Sequence, residues 1–185
     1  IQTAKDENLG AESTNFTVLR LRRDIFARST IGALFQNRSV SVAVEDGSNQ
    51  AYGVDAYFGI TRDLGLVAWY AQSHTPGLTG NDQSYRADLN YNGDLIGASI
   101  EHLMVGDDFN PEIGLVRRKD FRQTSASARF SPRPAISWIR QIFFNVSGSY
   151  LANQSEGYLE SRDFGGSFRV DLERGDDFGF SIRRN

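Results

Sequence analysis

The stretch VGDDFNPEIGLVRRKDFR, Val105 to Arg122, gathers the chemically most capable side chains of this sequence. Asp107, Asp108 and Glu112 set three carboxylates close together, and Phe109-Asn110-Pro111 has the composition of a turn. Arg117, Arg118 and Arg122 follow, within reach of those acids once Pro111 turns the chain. Two chemistries fit this pattern. Hard oxygen ligands could hold calcium, or the acidic and basic halves could close on one another as a charge-paired lid. The carboxylate spacing matches no known calcium loop. The expected state is therefore the folded lid, anchored by Phe109 against a neighbouring strand, with no metal and no other cofactor.

The remaining candidates are sparse. His74 and His102 are the only histidines and do not form a metal-ligand spacing, so they read as loop or interface residues. The absence of cysteine excludes disulfides, thiolate metal sites and cysteine nucleophiles. No nucleophile elbow, phosphate-binding glycine loop or dinucleotide fingerprint occurs, and no local pattern marks a catalytic residue. A pair of carboxylates for glycoside hydrolysis could still be assembled from separate strands. The sequons at Asn15, Asn37, Asn145 and Asn153 are taken as chance.

The elements that must position these groups are strands. In SYRADLNYNGDLIGASIE, Ser84 to Glu101, Asn92-Gly93 is a strong hairpin signal for a type I′ turn. That turn would pair Tyr91 with Asp94, Leu89 with Ile96, Ala87 with Ala98 and Tyr85 with Ile100. Because strand side chains alternate with period two, one face is then apolar and the other carries Arg86, Asp88 and Glu101.

Similar alternation recurs at Phe16–Arg22, Ile31–Val44, Ala51–Thr61, Leu66–Ser73, Gln123–Phe130 and Ile142–Leu151. It closes with Phe168–Leu172 against Phe178–Ile182. The total is roughly ten strands, each near the length that crosses a bilayer at a tilt.

Connection lengths discriminate between architectures. Links at Arg62-Asp63, Asn92-Gly93, Ser131–Pro134 and Glu173–Asp177 read as short, and a connection through Asp24 and Arg28 joins the first two strands. Those at Glu45–Gln50, His74–Gln83, Gly106–Lys119 and Ala152–Tyr158 read as longer, alternating strictly with the short ones in the second half. Outer-membrane barrels sort their loops in this way, and a soluble meander has no reason to. Arg20, Arg22, Asp55, Arg86, Asp88, Glu101, Arg129, Arg169 and Asp171 form the expected lumen-facing charged set. Trp69, Tyr70, Tyr85, Tyr91, Trp138, Tyr150 and Phe178 fall near strand ends, where membrane girdles lie.

Bulk composition is compatible with this reading. The chain has 185 residues, 39% hydrophobic and 23% charged, with net charge −3, which points away from disorder and from nucleic acid. No apolar run is long enough for a transmembrane helix, an absence that says nothing about barrel strands. Ile1 at the start and an unfinished alternating pattern at the end suggest an internal fragment of a longer protein.

Four stretches together carry a resemblance: TNFTVLRLRRDIFARSTIGALFQNRS, YGVDAYF, VGDDFNPEIGLVRRKDFR and SPRP. They resemble the bacterial domain-of-unknown-function family 5916 over about Thr14 to Arg184. The most specific part is Phe109-Asn110-Pro111-Glu112 with Gly114 and Arg117-Arg118. That resemblance implies an outer-membrane β-barrel downstream of a family 9-type carbohydrate-binding domain, and it implies no established activity.

The expectation is thus an all-β, antiparallel up-and-down transmembrane β-barrel in a Gram-negative outer membrane. Residues 1–185 would form part of that one domain, with 1–14 as a linker or preceding loop and strands from about 15 to 185. Its function would be a non-enzymatic pore or surface anchor, linked to carbohydrate capture or uptake through a companion domain. Its partners would be outer-membrane lipid and a polysaccharide or oligosaccharide, with no nucleic acid. The alternative is a β-rich carbohydrate-active hydrolase using carboxylates from separate strands.

Overall fold

The computed structural model describes residues 1–5, 12–43 and 47–184. Expectations that fall on 6–11, on Val44 and Glu45, and on the last residue, Asn185, lie outside them. Ten strands follow one another: β1 (Phe16–Ile25), β2 (Ser29–Arg38), β3 (Asn49–Gly59), β4 (Leu64–His74) and β5 (Gln83–Asn92). They continue with β6 (Ile96–Val105), β7 (Phe121–Phe130), β8 (Ile139–Asn153), β9 (Leu159–Leu172) and β10 (Asp177–Arg184). Each pairs antiparallel with its sequence neighbour, giving one up-and-down sheet in the order β1 to β10. The sheet is open, with no pairing between β1 and β10 among the described residues. Beside β1, Gln2 bridges Asn15, and Ile1 and Phe16 exchange hydrogen bonds.

The pairing registers sort the side chains into two faces. One face carries Leu19, Leu21, Ile31, Val54, Ala56, Ala68, Tyr70, Tyr85, Leu89, Ile100, Ala126, Val146, Phe168 and Phe180, following the Cα partners from strand to strand. No second layer of the described residues packs on it. Leu21 is 74% exposed, Ile100 52% and Phe180 70%, so the apolar face is bare from one edge of the sheet to the other. A soluble two-layer protein would bury such a face.

Aromatic side chains edge this face at both ends. Tyr85 sits beside Tyr70 near one end and stacks on His102 at 5.8 Å. Near the other end Phe130, Phe144, Phe168 and Phe180 form a ladder across β7 to β10, with centroid spacings of 6.2, 5.2 and 5.7 Å. Trp69 departs from expectation. It pairs with Arg86 and Asp55 on the opposite, polar face, because its position in β4 is odd relative to Tyr70. Trp138 lies in the connection 131–138.

Two turn expectations need correction. The hairpin does not close at Asn92-Gly93. Asn92 pairs with Gly97 and Leu89 with Ile100, and neither Asn92 nor Gly93 takes a positive φ. Tertiary contacts hold a wider turn: Arg129 donates to Gly93 O at 2.7 Å and Asn92 Oδ1 at 3.1 Å, and the Ser131 hydroxyl donates to Asp94 O at 2.7 Å. The pairing moves by an even number of residues, so every side chain keeps its expected face.

The strict alternation of loop lengths also fails once. The connection 131–138 is longer than 154–158, because Pro132 and Pro134 cannot donate to a ladder and the chain makes successive turns before β8. Elsewhere one end of the sheet has the short connections 26–28, 60–63, 93–95 and 173–176. The other end has the longer 39–48, 75–82 and 106–120.

Candidate functional site: the loop-capped end of the polar face

The polar face is a network of arginine and carboxylate side chains. Arg20, Arg22, Asp55, Arg86, Asp88, Glu101, Arg129, Arg169 and Asp171 all lie on it. Arg20 on β1 reaches over β2 to grip Asp55 on β3 with two nitrogens, one of them at 2.8 Å. Gly32 lies beneath that bridge, and a Cβ there would come within 2.7 Å of the guanidinium. Arg86 bonds both Asp88, at 2.9 Å, and Glu101. Asp171 accepts from Arg140 at 2.9 Å and from Arg169 at 3.1 Å. Each of these carboxylates is thus engaged by a cation. Serines fill much of the remaining surface, including Ser99, Ser125, Ser127, Ser147 and Ser149.

At the long-loop end the segment 106–120 folds over this face. Phe109, 8% exposed, packs with Val105 and Phe121, and Ala71, Leu103, Val116 and Leu151 surround them. These strand residues all point to the polar side, so the small apolar cluster seats the loop inward rather than out along the apolar face. Phe109 anchors the turn, as expected.

The charge pairing differs from expectation. Arg117, Arg118 and Arg122 do not close on Asp107, Asp108 and Glu112. The acids bind groups of other loops instead. Asp107 accepts from Asn81 N at 2.9 Å and Asp108 from Gly80 N at 2.6 Å. Glu112, whose side chain is 2% exposed, accepts from the Ser41 hydroxyl at 2.7 Å and from Val42 N at 3.0 Å, and Arg38 lies 3.6 Å away. Arg118 bonds Glu160 and lies over the Phe121 ring, while Arg122 faces the apolar side. The physical reason is the supply of unpaired donors. Loops 39–48 and 75–82 bring backbone N–H groups that need acceptors, and a carboxylate satisfies them better than a flexible guanidinium satisfies an acid.

Uncharged side chains complete the cap. Asn49, 2% exposed, donates to the Thr75 hydroxyl at 2.7 Å and to Asn110 O at 2.8 Å, and its Oδ1 accepts from Glu112 N. Asn110 N donates to the Ser73 hydroxyl at 2.8 Å. Asn49 and Ser73 sit at strand ends and Thr75 and Asn110 in loops, where alternation carries little signal, so sequence reasoning missed them. The asparagine and threonine types flanking the strands were the available hint.

Close approach makes one glycine indispensable. A Cβ on Gly106 would stand 2.0 Å from Asn81 O, a backbone atom that cannot swing away. Gly106→Ala is expected to cost about 3 kcal/mol through overpacking, read as a lowered denaturation midpoint with faster proteolysis in 75–82 and 106–120.

Asp120 pins the next loop. It takes a positive φ of 59° and accepts from Ser155 N at 2.9 Å, the Ser155 hydroxyl at 2.6 Å and Asn153 Nδ2 at 2.7 Å. The Ser155 hydroxyl first of all, with Asn153 and backbone N–H groups, holds its carboxyl below the ordinary value of 3.8 against a smaller opposing effect of burial. A depressed pKa contributes stability that is full above the unfolded value and lost as pH falls through the folded one. The protection of the Ser155 amide, taken as its exchange rate relative to the intrinsic rate at the same pH, should therefore stay high at neutral pH and fall on acidification below 3.8. In Asp120→Asn that pH dependence of protection should disappear.

The described residues contain no cluster of three or more His, Asp or Glu able to hold a metal ion. His74 ends β4, and His102 lies within β6, where its Nδ1 is 2.8 Å from the Thr124 hydroxyl; both are strand residues rather than loop residues. No helix of the described residues is long and apolar enough to cross a membrane, which leaves crossing by strands open. Comparison of the chain with protein-family models, curated proteins and solved structures finds no match.

Proposed function

We propose that this chain forms part of a transmembrane β-barrel of a Gram-negative outer membrane, serving as a pore or surface anchor. One observation carries the reading: a ten-stranded sheet exposes a predominantly apolar face with no layer of the described residues upon it, opposite a face of paired charges and serines. In a bilayer the first face meets lipid and the second lines a wet lumen. Tyr85 and Tyr91 are six residues apart on β5, roughly 20 Å at strand rise, which suits two interfacial belts. The longer loops then lie at the cell surface, and segment 106–120 narrows the mouth of the lumen. The resemblance to family 5916 adds a companion carbohydrate-binding domain, through which the barrel would serve glycan capture or uptake.

The test uses the protein expressed from its complete gene. It is expected to require detergent for solubility and to migrate faster on gels before boiling than after. A soluble, heat-insensitive species would refute the proposal.

A further inference from the structure

Trp69 stands on the polar face, two residues along β4 from Ala71, which packs with the Phe109 cluster. It therefore lies just inside the mouth that segment 106–120 covers. Its own row places Asp55 on one side and Arg86 on the other. Asp55 is held by Arg20, and Arg86 holds Asp88 and Glu101. Arg22 lies in the same row, two strands from Asp55, so three arginines face three carboxylates and the charge around the indole cancels. Bonding capacity is left over. Asp55 accepts only from Arg20, and a carboxylate offers about four acceptor sites. Among the described residues the Trp69 indole N–H, Nη1 of Arg86 and the Tyr57 hydroxyl have no hydrogen-bond partner. No ring or guanidinium of the described residues stacks on the indole. Tyr57 extends the patch two residues from Asp55 toward the short-loop end, roughly 7 Å at strand rise. It is 46% exposed, and its ring passes over Gly65, where a Cβ would touch it at 3.5 Å.

We propose that this patch binds a neutral saccharide. One sugar ring stacks its C–H face on Trp69 while its hydroxyls bond Asp55 and Arg86. The indole N–H and the Tyr57 hydroxyl serve the neighbouring units. This assignment rests on the reading of the polar face as a wet lumen wall, and it places the ligand on this chain rather than on a companion domain. Charge decides the ligand class. Carboxylates and guanidiniums already paired with one another draw in neither anion nor cation, yet they remain strong partners for hydroxyl groups. An uncovered indole face among them matches the apolar face of a sugar ring.

The experiment inserts the protein, expressed from its complete gene, into planar lipid bilayers and records ion current while maltohexaose or cellohexaose is added. A sugar in the lumen interrupts the current, whereas one held by a domain outside the pore does not. At least one of the two should block in a concentration-dependent way, and hexagalacturonate, an anionic counterpart, should block more weakly. Trp69→Leu should weaken the block about tenfold with the open-channel current unchanged. Tyr57→Leu should weaken it less, and Trp69→Phe, which keeps a stacking face, should retain most of it. Trp138→Leu, in the connection 131–138, should change nothing. Gel mobility before boiling checks that each variant assembles.

Current indifferent to both neutral sugars, a block unchanged in Trp69→Leu and Tyr57→Leu, or a stronger block by hexagalacturonate overturns the saccharide site and leaves the barrel reading intact. A protein that inserts but passes no current does the same, because no ligand then reaches Trp69 through the lumen. Failure of the unaltered protein to insert overturns both.

Discussion

Leu89→Arg is expected to block assembly into vesicles, whereas Asn90→Arg one residue along β5 assembles normally. Leu89 is 40% exposed on the apolar face, beside Leu66 and Ile100, in the central part of its strand. An arginine on the lipid face near the bilayer midplane costs about 2–4 kcal/mol. Snorkelling to an interface is harder there than near the strand ends. Asn90 points to the opposite face, between Gly65 and Ser99, where water and neighbouring polar groups receive a guanidinium. Folding yield into vesicles, followed by gel mobility without boiling, measures the difference. Equal yields for the two variants would remove the basis for assigning lipid to the Leu89 face. Equal loss for both would mean that β5 tolerates no added charge on either side.

Glu112→Ala is expected to release the loop cap. The wild-type carboxylate is nearly sealed from solvent and satisfies the Ser41 hydroxyl, Val42 N and the Arg38 guanidinium together. Among the described residues Arg38 Nε has no hydrogen-bond partner even with Glu112 in place, so they offer no spare acceptor there. Removing a buried, hydrogen-bonded partner of a charge costs about 3–5 kcal/mol. The loss is local, since the strands pair independently of this contact. Cleavage within 106–120 by added protease should accelerate, and pore conductance should rise as the loop leaves the mouth. Glu112→Gln keeps one acceptor oxygen and should lie between the two. A conductance unchanged by Glu112→Ala, with cleavage accelerated, would show that the loop does not limit passage.

The loop chemistry also explains why part of the site was hidden in the sequence. Asp107, Asp108 and Glu112 stand out as a carboxylate cluster, and arginines a few residues on look like their natural partners. The structure assigns the acids to residues 26 to 71 positions away along the chain. Local proximity overestimates such self-pairing, because donors on separate loops become neighbours only after the strands between them have paired. The Asn49, Thr75, Asn110 and Ser73 network has the same origin.

The alternation of apolar and polar residues by itself determined that this chain is an all-β meander and which side chains share a face. Period two is a local property of extended backbone, and a register error of even size leaves it untouched, as at Leu89. The arginine and carboxylate rows from Arg20 to Asp171 were legible for the same reason. Only the tertiary structure decided the registers, the partners of the acids and the direction in which 106–120 folds. The Asn92-Gly93 turn lost its local preference to bonds from Arg129 at the end of β7 and Ser131 just beyond it, nearly forty residues later. The lid turns inward because Phe109 finds Val105, Phe121 and Leu151 on that side. Those contacts join β6, β7 and β8, and they exist only once the sheet brings the three strands side by side.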